Sequence, residues 1–391
     1  MIELLRYPYP YKAWFTIAND PDNTLIKDWH ELNEVIWNKY KLPLSNSLFV
    51  DSYNKHLPKQ VNLNDHPEIT SQYHDMIHTW GDYMHSGKVG FCREYALRAK
   101  ETLEYHKVKP LVWIDHSKFI GNLIHNNKNG GIPEFKDSSG HVYPNLLYSL
   151  DLISELGIKY LWDGDITKII GQDKVLKPSA FFKEITPSRL RANVKTLLNI
   201  FVKSSKLKSV LGLNVPTNSA YFKKEFPDGQ KFYCFRRYGT WKNADIYGLG
   251  KILAKEKIAK LIKDGGTMVA YTHLGKRPID KMDELEHVPK HTHEALMFIK
   301  DKYDEQNLMI SPISGLLDYL VLRDNIQISA NLLEFMPDGI RFKNIKICDL
   351  KGKTFSFKLN SSVNDLKVKT NGVNLDYTVQ NHNDNIVSIT F

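Results

Sequence analysis

A chain of 391 residues, 42% of them hydrophobic and 25% charged, is too long for one small core and suits about two domains, or one barrel with an appendage. Its formal charge of +9 is spread out: the densest basic run, Lys203-Ser204-Ser205-Lys206-Leu207-Lys208, reads as a solvated helix face. That argues against a nucleic-acid partner and leaves only a weak attraction to anionic surfaces. Cys92, Cys234 and Cys348 are too few and too scattered for a disulfide framework or a zinc ribbon. No export signal and no membrane-length apolar run are found, so the chain reads as cytoplasmic.

In chain order, residues 13–18 form an apolar, partly β-branched run that predicts a buried strand, closely followed by Asp20-Pro21-Asp22. Helical spacing over 25–40 and a strand at 47–51 complete a first β-α-β unit, the arrangement of a parallel sheet or barrel. A proline-containing loop and a short helical segment lead to a brief strand at 76–77, which delivers His78 and Asp82. The cycle repeats with a helix at 91–106, a strand at 110–114 ending in Asp115-His116, and a polar, glycine-rich loop at 126–140. It repeats again with a helix at 145–156 and a strand at 158–162 ending at Asp163. Residues 165–227 break the rhythm and read as an insertion that could wall or lid a site. A strand at 232–237, a helix at 247–262, a strand at 267–271 ending in His273 and a helix at 293–303 resume the alternation. About seven β-α steps predict an α/β fold, a distorted or incomplete (β/α) barrel over residues 1–324. Beyond about 325, short alternating segments separated by Asn, Asp and Gly predict a small antiparallel β module over 325–391.

The chemistry gathers at predicted strand ends. His78 and Asp82 lie four residues apart, so on a helical turn they could share a face and converge on one cation. Asp20 and Asp22 follow the first long strand at its C-terminal end, where barrels of this class do their chemistry.

Asp-x-Asp after the first strand, His78-Thr79-Trp80-Gly81-Asp82 after a later one and Tyr271-Thr272-His273 ending a late one resemble the ordered motifs of the polysaccharide deacetylase superfamily, the NodB-homology domains, over roughly residues 8–280. The resemblance implies a metal-dependent hydrolase that removes an N-acyl group, acetyl above all, from a sugar or glycan precursor in a surface-polysaccharide pathway. It maps Asp20 to the general base and Asp22 to a metal ligand, with the reverse assignment open. His78 matches the first motif histidine, and Asp82 stands where a second histidine is usual. His273 matches the late histidine that acts as general acid, a task suited to imidazole. Arg93 is the candidate for orienting the base, although the usual Arg-Pro pair is absent. His116, Asn122 and Asp163, just beyond predicted strands, and Trp80 inside the motif are the candidate substrate-binding residues. The implied cofactor is one divalent metal, zinc first, with other first-row ions compatible with the carboxylate-rich set. A non-catalytic glycan-binding barrel and, behind it, a metal-dependent phosphoesterase remain as alternatives.

Overall fold

The computed structural model describes residues 2–71, 74–83, 91–115, 135–136, 142–143, 148–173, 218–226, 229–240, 244–276, 288–359, 366–382 and 385–391. Within them a mixed α/β fold is built on one curled sheet. Its strands are β2 (Ala13–Asn19), β3 (Ser45–Leu48), β4 (Met76–His78), β5 (Val112–Ile114), β6 (Tyr160–Trp162), β7 (Ile166–Thr167), β8 (Tyr221–Glu225), β9 (Lys231–Phe235), β10 (Arg237–Tyr238), β11 (Gly266–Thr272) and β12 (Leu308–Ile310); β1 (Ile2–Leu4) lies elsewhere. The spatial order is β7-β10-β11-β2-β3-β4-β5-β6-β9-β8, with β12 on β2, and every pairing is parallel except that of β8 with β9.

The chain itself dictates the curl. β6 and β7 are seven places apart in the strand order, about 33 Å in a flat sheet at roughly 4.8 Å per strand. Only residues 163–165 join them, a link that spans about 14 Å at most. β9 and β10, likewise at opposite ends, are separated by Arg236 alone. The two ends of the sheet must therefore meet, and the C-terminal ends of its parallel strands gather on one rim.

Burial on both faces explains the composition of the central strands. All seven residues of β2 and all seven of β11 are buried. Trp14, Ala18, Val269 and Tyr271 point into one core; Ala13, Phe15, Ile17, Met268 and Ala270 pack outward in another, against the helices. Gly266 opens β11 at φ +111°, and a Cβ there would stand 2.6 Å from the carbonyl oxygen of Gln172.

Eight helices are described: α1 (Ile26–Asn33), α2 (Arg93–Tyr105), α3 (Leu150–Glu155), α4 (Ile246–Ile252), α5 (Lys255–Asp264), α6 (Lys290–Asp304), α7 (Ile313–Asp324) and α8 (Ile347–Leu350). The helix expected over 25–40 turns π-helical from Glu34 to Lys39, and the one expected over 247–262 is broken between α4 and α5. No described helix is long and apolar enough to cross a membrane.

The C-terminal strands differ from the expected antiparallel module in one pairing. Residues 326–329, 332–335, 367–370 and 373–374 form one sheet in which 332–335 and 367–370 run parallel. The other sheet places β1 beside 354–359, followed by 386–390 and 378–381. The apolar faces are shared: Trp14 of β2 and Tyr319 of the nearly wholly buried α7 belong to one core with Phe335, Phe355 and Phe357. Asp318 of α7 accepts from Tyr160 Oη (2.6 Å) and from Arg341 Nε (2.8 Å), tying the parallel sheet to the C-terminal strands.

Candidate metal centre

Asp20 and Asp22 leave the end of β2, His78 ends β4 and His273 follows β11, so all four reach the same rim of the curled sheet. Asn23 (φ +50°) and Thr79 (φ +52°), the residues after Asp22 and His78, both adopt the left-handed region. Asn tolerates that conformation; for a β-branched threonine it is strained, and the strain is held by hydrogen bonds from Thr79 N to Ile114 O and from Thr79 Oγ1 to Gly81 O.

The two aspartates are treated differently. Asp20 is gripped from one side: its Oδ1 accepts from Arg237 Nη1 (2.9 Å) and Ser47 Oγ (3.1 Å), its Oδ2 from Arg237 Nη2 (2.7 Å). Both partners of that pair are essentially inaccessible, and the guanidinium lies over the Trp162 ring at 3.4 Å from its centroid and near Tyr271 at 4.4 Å. Burial pushes the Asp20 carboxyl up, but the charges of Arg237, His78 and His273 and the Arg237 hydrogen bonds outweigh it and hold Asp20 below the ordinary carboxylate range.

Asp22 faces imidazoles. Its Oδ2 stands 3.0 Å from His78 Nε2 and 3.3 Å from His273 Nε2. His78 Nδ1 meets the Ile114 carbonyl at 3.1 Å and His273 Nδ1 the Ala244 carbonyl at 2.9 Å. A carbonyl can only accept, so each Nδ1 carries a proton, and a ring in its neutral form turns an Nε2 lone pair toward the same carboxylate oxygen. Acceptors aimed at acceptors call for a cation or a proton between them. Burial pulls the His78 pKa down, yet Asp20 and Asp22 outweigh it and raise it. Asp20, Asp22 and His78 each place a ligand atom within 4.8 Å of the others, so this buried group could hold a metal ion, with two oxygens and one nitrogen as donors. The chain matches no protein-family model and no curated protein.

Several expected positions lie elsewhere. Asp82 is not in the converging group, because residues 76–82 form a strand, a turn and a two-residue strand, and a helical i, i+4 face does not exist there. Its Oδ2 instead accepts from Asn54 Nδ2 (3.2 Å) and Gln60 Nε2 (2.9 Å). Gln60 also takes the backbone N–H of Asn23 (2.7 Å), so Asp82 braces the loop that carries Asp22. Arg93 opens α2 and ties it to α3 through Asp151 and the Tyr148 carbonyl; the arginine on Asp20 is Arg237. Trp80 is fully buried, donates to Ser149 Oγ (3.0 Å) and packs on Trp113, so it presents no face to a substrate. Asp163 accepts from Lys224 Nζ at 3.0 Å. His116 and Asn122 lie outside the described residues.

Sequence reasoning missed Arg237, Ser47 and Tyr271, whose hydroxyl lies 3.2 Å from His273 Nε2. Arg237 had one usable signal: a charged residue at the end of an apolar strand must find a counter-charge if it is buried.

Proposed function

We propose that the chain is a metal-dependent amide hydrolase of the polysaccharide deacetylase type, acting on an N-acylated sugar or glycan precursor. The observation that carries the reading is the split pair of carboxylates: Asp22 lies between two imidazole Nε2 atoms, while Asp20 is held ionised by Arg237 a short distance away. The motif order in the sequence supports it, as does reading the curled parallel sheet as a distorted (β/α) barrel with its chemistry at the C-terminal rim.

On this reading Asp22 and His78 hold a divalent ion, zinc first, and Asp20, the third member of the converging group, serves as the base beside it. Bound there, the ion would polarise an amide carbonyl and make a water nucleophilic near neutral pH. Asp20 then takes the proton of the attacking water. Arg237 and Ser47 hold its carboxylate in one orientation for that task. His273, its Nδ1 fixed on Ala244, carries a proton on Nε2 and gives it to the departing amine nitrogen. Tyr271 and the two aspartates keep that nitrogen aimed into the site.

Elemental analysis of the purified protein tests the metal, and acetate release from an N-acetylglucosamine disaccharide tests the reaction. Near-stoichiometric zinc that disappears in His78→Ala, with turnover lost in Asp20→Asn while that variant keeps its zinc, is the expected outcome. Protein that takes up no divalent ion even when zinc is supplied, and leaves the sugar acetylated, would move the assignment to a glycan-binding barrel.

A further inference from the structure

Behind the candidate centre, three asparagine side chains form a continuous chain of hydrogen bonds that no step above uses. Leu274 N donates to Asn19 Oδ1 (2.8 Å), Asn19 Nδ2 to Asn46 Oδ1 (2.9 Å), Asn46 Nδ2 to Asn33 Oδ1 (2.7 Å) and Asn33 Nδ2 to the Trp29 carbonyl (2.6 Å). All three residues are buried, Asn46 completely. The chain starts on a backbone N–H, which can only donate, and ends on a backbone carbonyl, which can only accept. The orientation of every amide between them is therefore fixed, since turning any one over would set nitrogen against nitrogen and oxygen against oxygen.

What the chain connects gives it meaning. Asn19 immediately precedes Asp20, and Leu274 immediately follows His273, so one amide joins the two loops that carry the base and the acid of the proposed reaction. Asn19 and Asn46 are direct partners across β2 and β3. The far end anchors at Asn33, where α1 gives way to the π-helical turn that begins at Glu34. Asn33 is the last residue of α1, and its side-chain amide donates to the Trp29 carbonyl one turn back in the same helix. Close to the centre the backbone adds two bonds of its own, Asp20 N to Thr272 O (2.9 Å) and His273 N to Ala244 O (2.6 Å).

We propose that Asn19, Asn46 and Asn33 are positioning residues that set the separation of His273 from the Asp20–Asp22 pair by holding Leu274 against the end of β2. The proposal rests on the acid–base reading of Asp20 and His273. None of the hydrogen bonds named in this amide chain ends on the side chain of Asp20, Asp22 or His78; their effect is on alignment of the proton donor, and misplacement by about 1 Å can cost on the order of 100-fold in rate.

The test uses the zinc-loaded full chain. Asn46→Leu keeps the volume and removes both hydrogen bonds; Asn33→Ala breaks only the far end and serves if the first variant does not fold. Acetate release from the N-acetylglucosamine disaccharide should lose on the order of 10- to 100-fold in kcat, with KM and zinc content unchanged. Amide hydrogen exchange should quicken around Leu274. A folded variant with wild-type kcat and unchanged exchange there overturns the proposal, and so does a loss shared equally by KM or by zinc binding, which would mark a general structural role. If the wild type releases no acetate, the functional reading fails by itself, and the exchange at Leu274 still decides whether the amide chain holds that loop.

Discussion

Replacing Arg237 with methionine should be among the most damaging single changes in the molecule. Methionine keeps much of the packing between Trp162 and Tyr271 but removes two charge-assisted bonds, of 2.9 and 2.7 Å, from a carboxylate that is 1% exposed. Breaking one side of a buried ion pair typically costs about 3–5 kcal/mol, because the remaining charge is stranded away from water. Ser47 still donates to Asp20, but this single bond from an uncharged hydroxyl, worth about 1.5–3 kcal/mol, cannot replace the guanidinium and its charge. Urea unfolding followed by tryptophan fluorescence, at pH 7.5 with a chelator present so that metal binding does not mask the change, should show a loss of about 3–5 kcal/mol for Arg237→Met and a comparable loss for Asp20→Asn. The double variant, with neither charge left, should return to within about 1–2 kcal/mol of the wild type, a strongly non-additive cycle. Asp20 is depressed in the fold, so the pair's contribution is present above the ordinary carboxylate range and is lost as pH falls through the folded value. The deficit of Arg237→Met should accordingly shrink in acid. A loss below about 1 kcal/mol for Arg237→Met, or a double variant equal to the sum of its singles, would refute the claim that this pair is a desolvated, coupled unit.

Two further outcomes follow from the same structure. Burial lifts the Asp75 carboxyl to about 6, only partly offset by the Ser314 N–H that it accepts at 2.8 Å, so ionising it costs stability as pH rises from about 4 to 6 and the cost persists above. Asp75→Asn should gain on the order of 1–3 kcal/mol over the wild type at pH 8 and nothing at pH 4, measured calorimetrically; a pH-independent difference would contradict this. Asp82→Asn should retain its zinc, because the Asp82 side chain braces Asn54 and Gln60 and lies outside the converging group, whereas zinc lost from this variant would restore Asp82 as a ligand.

Strands were legible wherever an apolar run ended in a charged residue. Residues 13–18 followed by Asp20, and 267–271 followed by His273, announced both β2 and β11 and the rim where they deliver their side chains. Spacing misled at Asp82, since four residues mean a shared face only on a helix, and His78 ends a strand. Choosing Arg93 over Arg237 was a failure of a different kind: Arg237 lies 217 residues from Asp20, and only the pairing of β10 with β11 and of β11 with β2 brings them together. Local pattern does not encode that strand order. The break at Arg236 between β9 and β10, which produces it, reads in sequence as one uninterrupted strand.

The pairing of β1 with residues 354–359, Ile2 opposite Leu359, fixes an order of events during synthesis. At about 5–20 residues per second, this strand leaves the ribosome on the order of tens of seconds before its partner exists. Until then the apolar side of Trp14 and Tyr319 awaits Phe355 and Phe357, and the end of the sheet opposite the candidate centre stays open to water and to other chains. The rim that carries the candidate centre, complete once β11 has docked, can therefore be assembled before the last strands arrive, and in that interval the uncovered apolar side exposes newly made chains to aggregation.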